Sequence, residues 1–276
     1  MTAPPRHISW IFNPASRPAS ACFSMLDSFP RPILLAHRGD YKYAPENTLP
    51  AFSQAIQKGA DGVELDAKLT ADGQVVVIHD ETVNRTTGAN GRVGSFTLEA
   101  IRKLDAGSWF DEKFAGTKIP LLEEVFETVG RDKLINIELT NYFSLCDGLV
   151  VKVCELLKRH NNAGQIIFSS FAPSNLKMAA QLIPEIPRGL LAHAGLWGLW
   201  ARSFGFMFGD YQALHPHITN VSREQIQRIH RVNRRVHVWT ANEPEDIRRL
   251  RDWGADGIIT DDPATAVKAL GGRSQS

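Results

Sequence analysis

The chain has 276 residues, 43% of them apolar and 22% charged, and its 31 Lys and Arg nearly balance 30 Asp and Glu. That is enough apolar material for a full core and leaves no basic excess, which excludes an electrostatic nucleic-acid footprint. No stretch approaches the roughly 18 apolar residues of a membrane span. Cys22, Cys146 and Cys154 lack metal-ligand spacing, so buried thiols in a reducing, cytoplasmic setting are expected.

Residues 1–30 are rich in Pro, Ser and Ala, and their most apolar run, Ile8-Ser9-Trp10-Ile11-Phe12, is too short for a secretory core. They read as a disordered leader or an over-long start ahead of Met25, with one catalytic domain over 31–271. From residue 33 onward, short strand-like runs alternate with helical segments. The strands are Ile33–Ala36, Gly62–Asp66, Leu134–Leu139, Ile166–Ser169, Gly189–Ala192, Gln212–Leu214, Val236–Trp239 and Gly257–Thr260. Helices are expected at Asn47–Lys58, Leu121–Val129, Leu145–His160, Pro173–Ile183, Leu196–Phe208, Ser222–Val232, Pro244–Trp253 and Ala264–Leu270. Eight such β-then-α units, with strands apolar enough to be buried on both faces, predict an α/β fold closed into a (β/α)8 TIM barrel.

A ninth apolar run, Val75-Val76-Val77-Ile78, lies too close to the second strand for a parallel crossover. The Asp72-Gly73 turn signal between them predicts a hairpin over the barrel mouth, setting His79 approximately opposite Asp66. Residues 80–120 then form a long excursion with one clear helix, Thr97–Leu104, and read as a functional insertion.

Barrel active sites lie at the C-terminal ends of the strands. There strand one ends in His37 and Arg38, strand two in Glu64 and Asp66, and strand three in Asn136, Glu138 and Thr140. A spacing of two keeps each set on one face of its strand. Taken singly, each has a plain structural explanation: a satisfied strand-end histidine, a surface carboxylate, a capping arginine. Three strands ending the same way argue for a site. Crowded carboxylates repel unless a cation neutralises them, so Glu64, Asp66 and Glu138 are candidate ligands for Mg²⁺ or Ca²⁺.

His37-Arg38-Gly39, Pro45-Glu46-Asn47-Thr48, Glu64-Leu65-Asp66, Asp72-Gly73 and His79-Asp80 together resemble the signature of the glycerophosphodiester phosphodiesterases. Ile119-Pro120-Leu121-Leu122-Glu123-Glu124, Asn136-Ile137-Glu138, Ser169-Ser170-Phe171, Val238-Trp239-Thr240-Ala241-Asn242 and Ile258-Ile259-Thr260-Asp261 extend it, in order, to about residue 270. The resemblance implies a metal-dependent barrel enzyme that cleaves glycerophosphodiesters to glycerol 3-phosphate and an alcohol. It implies His37 and His79 as the acid/base pair, Glu64, Asp66 and Glu138 as metal ligands, and Arg38 on the phosphate. The family commonly has Glu-x-Lys where this chain has Glu138-Leu139-Thr140. Thr140 can hydrogen-bond a phosphate but carries no charge, so either Arg38 and the metal suffice, or another cation such as Lys68 or Arg85 reaches in, or the substrate differs from the family's usual one.

Trp239 and Phe171 are expected at the mouth, where they could pack on a glycerol backbone or simply fill the barrel. His215 reads as a loop histidine with a pocket donor as the alternative. The run 196–208 holds three phenylalanines and two tryptophans. With Trp197, Trp200, Phe204 and Met207 on one face, it reads as an outer helix packed on the barrel. The sharper reading is an apolar rim that meets an acyl chain or a membrane surface. A lysophospholipase D-like activity and a catalytically weak phosphate-binding barrel are the two rivals.

Overall fold

The computed structural model describes residues 26–160 and 165–271; residues 1–25, most of the expected leader and Cys22 with it, lie outside them. Eight parallel strands close into a barrel: β1 (Ile33–His37), β2 (Gly62–Leu69), β4 (Leu134–Leu139), β5 (Ile166–Ser170), β6 (Arg188–Ala192), β7 (Ala213–Pro216), β8 (Arg235–Val238) and β9 (Gly257–Thr260). β1 pairs with both β2 and β9, which joins the ends of the sheet.

Helices α1 (Leu49–Gln57), α2 (Leu122–Val129), α3 (Leu149–His160), α4 (Pro173–Leu182), α5 (Arg223–His230), α6 (Pro244–Trp253) and α7 (Pro263–Ala269) lie between or after the strands. Each buries one stripe against the sheet. α1 shows the local logic: the Thr48 side chain caps Ala51 N–H, Pro50 occupies the first turn where no donor is needed, and Ala51, Phe52 and Ala55 face inward. Two apolar layers result. One lies between strands and helices, and a smaller one inside the barrel joins Leu35, Leu134, Ile167, Ala213 and Ile259 to Leu26 and Phe29.

β2 outlasts its neighbours, and its last residues, Ala67–Leu69, pair antiparallel with β3 (Val75–Val77) above the barrel. The hairpin is as expected, but its register is one residue off: Ile78, not His79, faces Asp66, donating its N–H to the Asp66 carbonyl at 2.9 Å. Residues 80–120 fold as short turns of helix around Val76, Ile78, Val83, Val93, Ile101, Ala106 and Ile119.

Three expectations need correction. Residues 196–208 are not one helix but a 3-10 turn (Leu196–Gly198), an irregular coil (Ala201–Gly205) and a last short turn (Phe206–Phe208). Ser203 leaves helical geometry, and Arg202 donates to the His193 and Gly195 carbonyls, folding the segment back on itself. The expected buried face is therefore the exposed one, and Phe206 is buried in its place. Second, His215 is not in a loop; it points into the barrel from β7 and is fully buried. Third, Cys154 is buried but Cys146 is exposed, because α3 begins only at Leu149.

Candidate functional site

The strand ends bring His37, Arg38, Glu64, His79, Glu138, Phe171 and Trp239 around one cavity of about 220 Å³. β1 delivers His37, and the chain then turns sharply, with Arg38 at φ 55° and Gly39 at φ 88°. A side chain on Gly39 would collide with Ala51, so the turn can sit against α1 only because this residue is glycine. The Arg38 N–H is left pointing at Glu64, 3.0 Å from its carbonyl and 3.2 Å from Oε2.

Glu64, Asp66 and Glu138 each offer an oxygen within 4.8 Å of the others. β2 and β4 pair in register, Glu64 beside Asn136 and Asp66 beside Glu138, which is what converges them. Each carboxylate also has one oxygen pinned. Glu64 Oε2 accepts from Arg38 N–H, Asp66 Oδ2 from Asn47 at 2.8 Å, and Glu138 Oε1 from the Tyr142 hydroxyl at 2.7 Å. No described residue hydrogen-bonds the other oxygen of each. Burial, then repulsion from Asp66 and Glu138, pushes Glu64 well above the usual carboxylate range, and burial and Asp66 push Glu138 to about 8. Burial acts most strongly on Asp66 as well, but Arg38, His79, the Asn47 hydrogen bond and His37 together outweigh it and hold Asp66 low. Three hard oxygen donors, oriented and mutually repelling, fit a divalent cation of the Mg²⁺ or Ca²⁺ type.

Both histidines are held by carboxylates. His37 Nδ1 lies 2.6 Å from Asp261 Oδ1, and Asp261 Oδ2 accepts from Asn242 at 2.6 Å. His79 Nδ1 lies 2.7 Å from Asp80 Oδ1. In each case Nε2 has no hydrogen-bond partner among the described residues; that of His37 sits 4.0 Å from Glu64. The two carboxylates differ. Asp80 also takes two bonds from Arg85, which with His79 draws it down to about 2, whereas Asp261 has only neutral Asn242 besides His37.

Arg38 is braced by Glu46 at 2.9 Å and lies 3.3 Å from Asp66. Arg85 is committed to Glu46 and Asp80. Thr140 lines an adjoining cavity of about 730 Å³, yet its hydroxyl donates to the Ala67 carbonyl at 2.8 Å. Lys68, on the same wall, donates to the Thr140 carbonyl at 2.8 Å and to Glu81 at 3.3 Å. Phe171 belongs to both cavities and stacks on His193, ring centroids 3.9 Å apart, while Trp239 donates to the His215 carbonyl and meets Phe171 edge-on.

Asp261, Tyr142 and His193 were not singled out from the sequence. Asp261 and Asn242 stood inside recognised motifs, which was the available signal; nothing local marked Tyr142 or His193.

A family model described as the glycerophosphoryl diester phosphodiesterase family matches residues 37–265. The chain is 43% identical over 239 residues to a glycerophosphodiester phosphodiesterase of Caldanaerobacter subterraneus subsp. tengcongensis, covering 86% of this chain and 97% of that one. It is 35% identical over 241 residues to a glycerophosphodiester phosphodiesterase of Bacillus altitudinis, covering 85% and 96%. Among solved structures it resembles an Oleispira antarctica phosphodiesterase in complex with the product sn-glycerol-3-phosphate (TM-score 0.79, 29% identity, 89% and 98% covered). A glycerophosphodiester phosphodiesterase from Agrobacterium tumefaciens is similar too (TM-score 0.75, 28% identity, 85% and 98% covered).

Proposed function

The chain belongs to the glycerophosphoryl diester phosphodiesterase family, and on that premise we propose that it hydrolyses glycerophosphodiesters to glycerol 3-phosphate and an alcohol, with His37 and His79 moving the protons and Glu64, Asp66 and Glu138 holding Mg²⁺ or Ca²⁺. The observation that carries this reading is the meeting, at one cavity, of two carboxylate-held imidazoles with a three-carboxylate cluster, of which Glu64 and Glu138 line the cavity.

A cation bound there supplies positive charge to phosphate oxygens where negative charge develops. Arg38, fixed by Glu46, presents a permanently charged donor fork to the same phosphate. One imidazole takes the proton of the attacking hydroxyl at its Nε2, and the other donates from Nε2 to the oxygen of the departing alcohol. The two rings start in opposite protonation states, so activity is bell-shaped in pH. Phe171 and Trp239 give the carbon backbone an apolar wall. Lys68 provides the charge that Thr140 lacks, and Thr140 acts through its carbonyl, which holds the Lys68 ammonium.

A second reading concerns lipid. Leu196, Trp197, Leu199, Trp200, Phe204 and Phe208 are exposed, and the segment starts just after His193, a residue of both cavities. We propose that this apolar rim meets a lipid surface and admits lysophospholipids to the same site. Among the described residues no helix is long and apolar enough to cross a membrane.

The deciding assay is glycerol 3-phosphate release from glycerophosphocholine and glycerophosphoethanolamine with Mg²⁺, with Ca²⁺ and with chelator, for wild type and His37→Ala. Release that needs a cation and disappears in the variant is expected. Binding without release under every condition would mean a phosphate-binding barrel without turnover.

A further inference from the structure

Asn136 stands two residues before Glu138 on β4 and beside Glu64 of β2, so its side chain faces the barrel interior one step below the carboxylates. It borders the 220 Å³ cavity together with His37, Glu64 and Glu138. Only 1% of it is exposed, and neither Oδ1 nor Nδ2 has a hydrogen-bond partner in the protein. Buried amides are nearly always paired, because an unpaired one keeps the full cost of leaving water. In the sheet its neighbours are Glu64 on one side and Ile167 on the other, and the barrel interior also holds the apolar cluster of Leu35, Leu134, Ile167 and Ile259.

Among the described residues Ser169, His215 and His237 also carry unpartnered buried polar atoms, but none of them borders the cavity; Arg38 Nε does border it, 3.3 Å from Asp66 in an ion pair. Asn136 is therefore the neutral unpaired side chain of the barrel interior that borders the cavity. The cavity is mixed in character: ionic groups, the apolar side chains of Phe171, Leu191, Trp239 and Ile259, and one carboxamide line it together. A carboxamide offers one acceptor and one donor group. A hydroxyl needs both, and a carbon chain bearing hydroxyls would lie against the apolar side chains.

We propose that Asn136 forms a hydroxyl-recognising subsite in this cavity, which accepts from and donates to the free hydroxyls of the glycerol unit while the phosphate stays with the ionic groups. The assignment rests on the function proposed above and adds which part of the substrate is discriminated. It also carries a signature that a structural role lacks. Removing an unpaired buried amide leaves the free protein as stable or more stable, while recognition is lost.

The test compares wild type, Asn136→Leu and Asn136→Ala on two diesters: glycerophosphocholine, and bis(4-nitrophenyl) phosphate, which has no glycerol. Losing hydrogen bonds to neutral hydroxyls predicts kcat/KM on glycerophosphocholine about 10- to 100-fold lower, and inhibition by glycerol 3-phosphate weaker to the same degree. Turnover of bis(4-nitrophenyl) phosphate and its cation dependence stay within about twofold, and the Asn136→Leu melting temperature does not fall. Equal losses on both diesters would overturn the proposal, since Asn136 would then be supporting the carboxylates. So would unchanged kinetics on both. If wild type cleaves bis(4-nitrophenyl) phosphate but not glycerophosphocholine, the functional reading fails by itself. The subsite is then judged from glycerol 3-phosphate inhibition of that turnover, and equal inhibition of wild type and Asn136→Leu rejects it.

Discussion

The two imidazoles of the site share one construction, a ring whose Nδ1 rests on a carboxylate, and in the proposed mechanism Nε2 exchanges the proton. What separates them is the company each carboxylate keeps. Asp80 divides its charge between His79 and Arg85, which is itself shared with Glu46; Asp261 meets only His37 and neutral Asn242. Asp261 is thus the stronger positioning residue. By analogy with other His–Asp pairs, Asp261→Asn should lower kcat on the order of 10²- to 10⁴-fold with KM changed only about threefold or less. Asp80→Asn should cost less, because Arg85 still fixes the loop. Steady-state kinetics on glycerophosphocholine decide it: a rise in KM with kcat retained would make Asp261 a binding residue instead. His37 was legible in the sequence because it ends an apolar strand beside an arginine and a glycine. Its partner lies 224 positions away, a separation that no local pattern spans.

At the scale of the element, periodicity served well wherever an element packs against the sheet. β2 and β4 show it best, since alternation along a strand already put Glu64, Asp66 and Glu138 on inward faces. It failed at residues 196–208, where a helical spacing of aromatics coincides with Gly195, Gly198, Gly205 and Gly209 and with an arginine that bonds the backbone behind it. The consequence is an apolar surface, with Trp197 92% and Phe208 85% exposed and Phe206 only 1%. The informative variant is therefore Trp197→Ser with Phe208→Ser; Phe206 is core and would report on folding. If the rim meets lipid, the double variant loses several-fold in lysophosphatidylcholine turnover and in sedimentation with phosphatidylcholine vesicles, while glycerophosphocholine hydrolysis stays within about twofold. Unchanged lysolipid turnover would reduce the segment to an outer cover of the barrel.

For the molecule as a whole, the barrel interior couples stability to pH through two buried histidines. His215 and His237 lie ring to ring, centroids 4.8 Å apart, and neither has a hydrogen-bond partner in the protein. They fit only because Gly189 and Gly257 leave room beside their rings. Burial holds His237 down at about 4; burial, then the neighbouring ring, holds His215 well below the ordinary histidine value. In the unfolded chain both titrate near 6.5. Below that pH the unfolded state takes up protons that the folded state refuses, so the stability these two rings contribute falls from about pH 6.5 downward, for His237 as far as about pH 4. His237 by itself accounts for about 3 kcal/mol across that window. Carboxylates held low by arginine, such as Glu46, add their losses only below about pH 4.5, whereas Glu64 and Glu138, held high, act with the opposite sign between about 8 and 4.5, so the histidine contribution is read as a difference between wild type and variant. Denaturant melts of wild type and His237→Leu between pH 7 and 4.5 should show the variant gaining stability relative to wild type as pH falls. A difference that stays constant with pH would place the coupling elsewhere.

The sequence by itself determined the number and order of the barrel strands, the hairpin on β2 and the inward face of the carboxylates. Each of these follows from local alternation, turn chemistry and the short reach of the backbone. It also marked both histidines, which sit where strands end. Only the tertiary structure decided that Asp261 holds His37, that Tyr142 pins Glu138, that Lys68 stands over Thr140, and that Asn136 lies unpaired at the cavity. Those contacts arise from closure of the barrel and from the register between strands. Side chains far apart in the chain meet there at a depth and angle that periodicity does not encode.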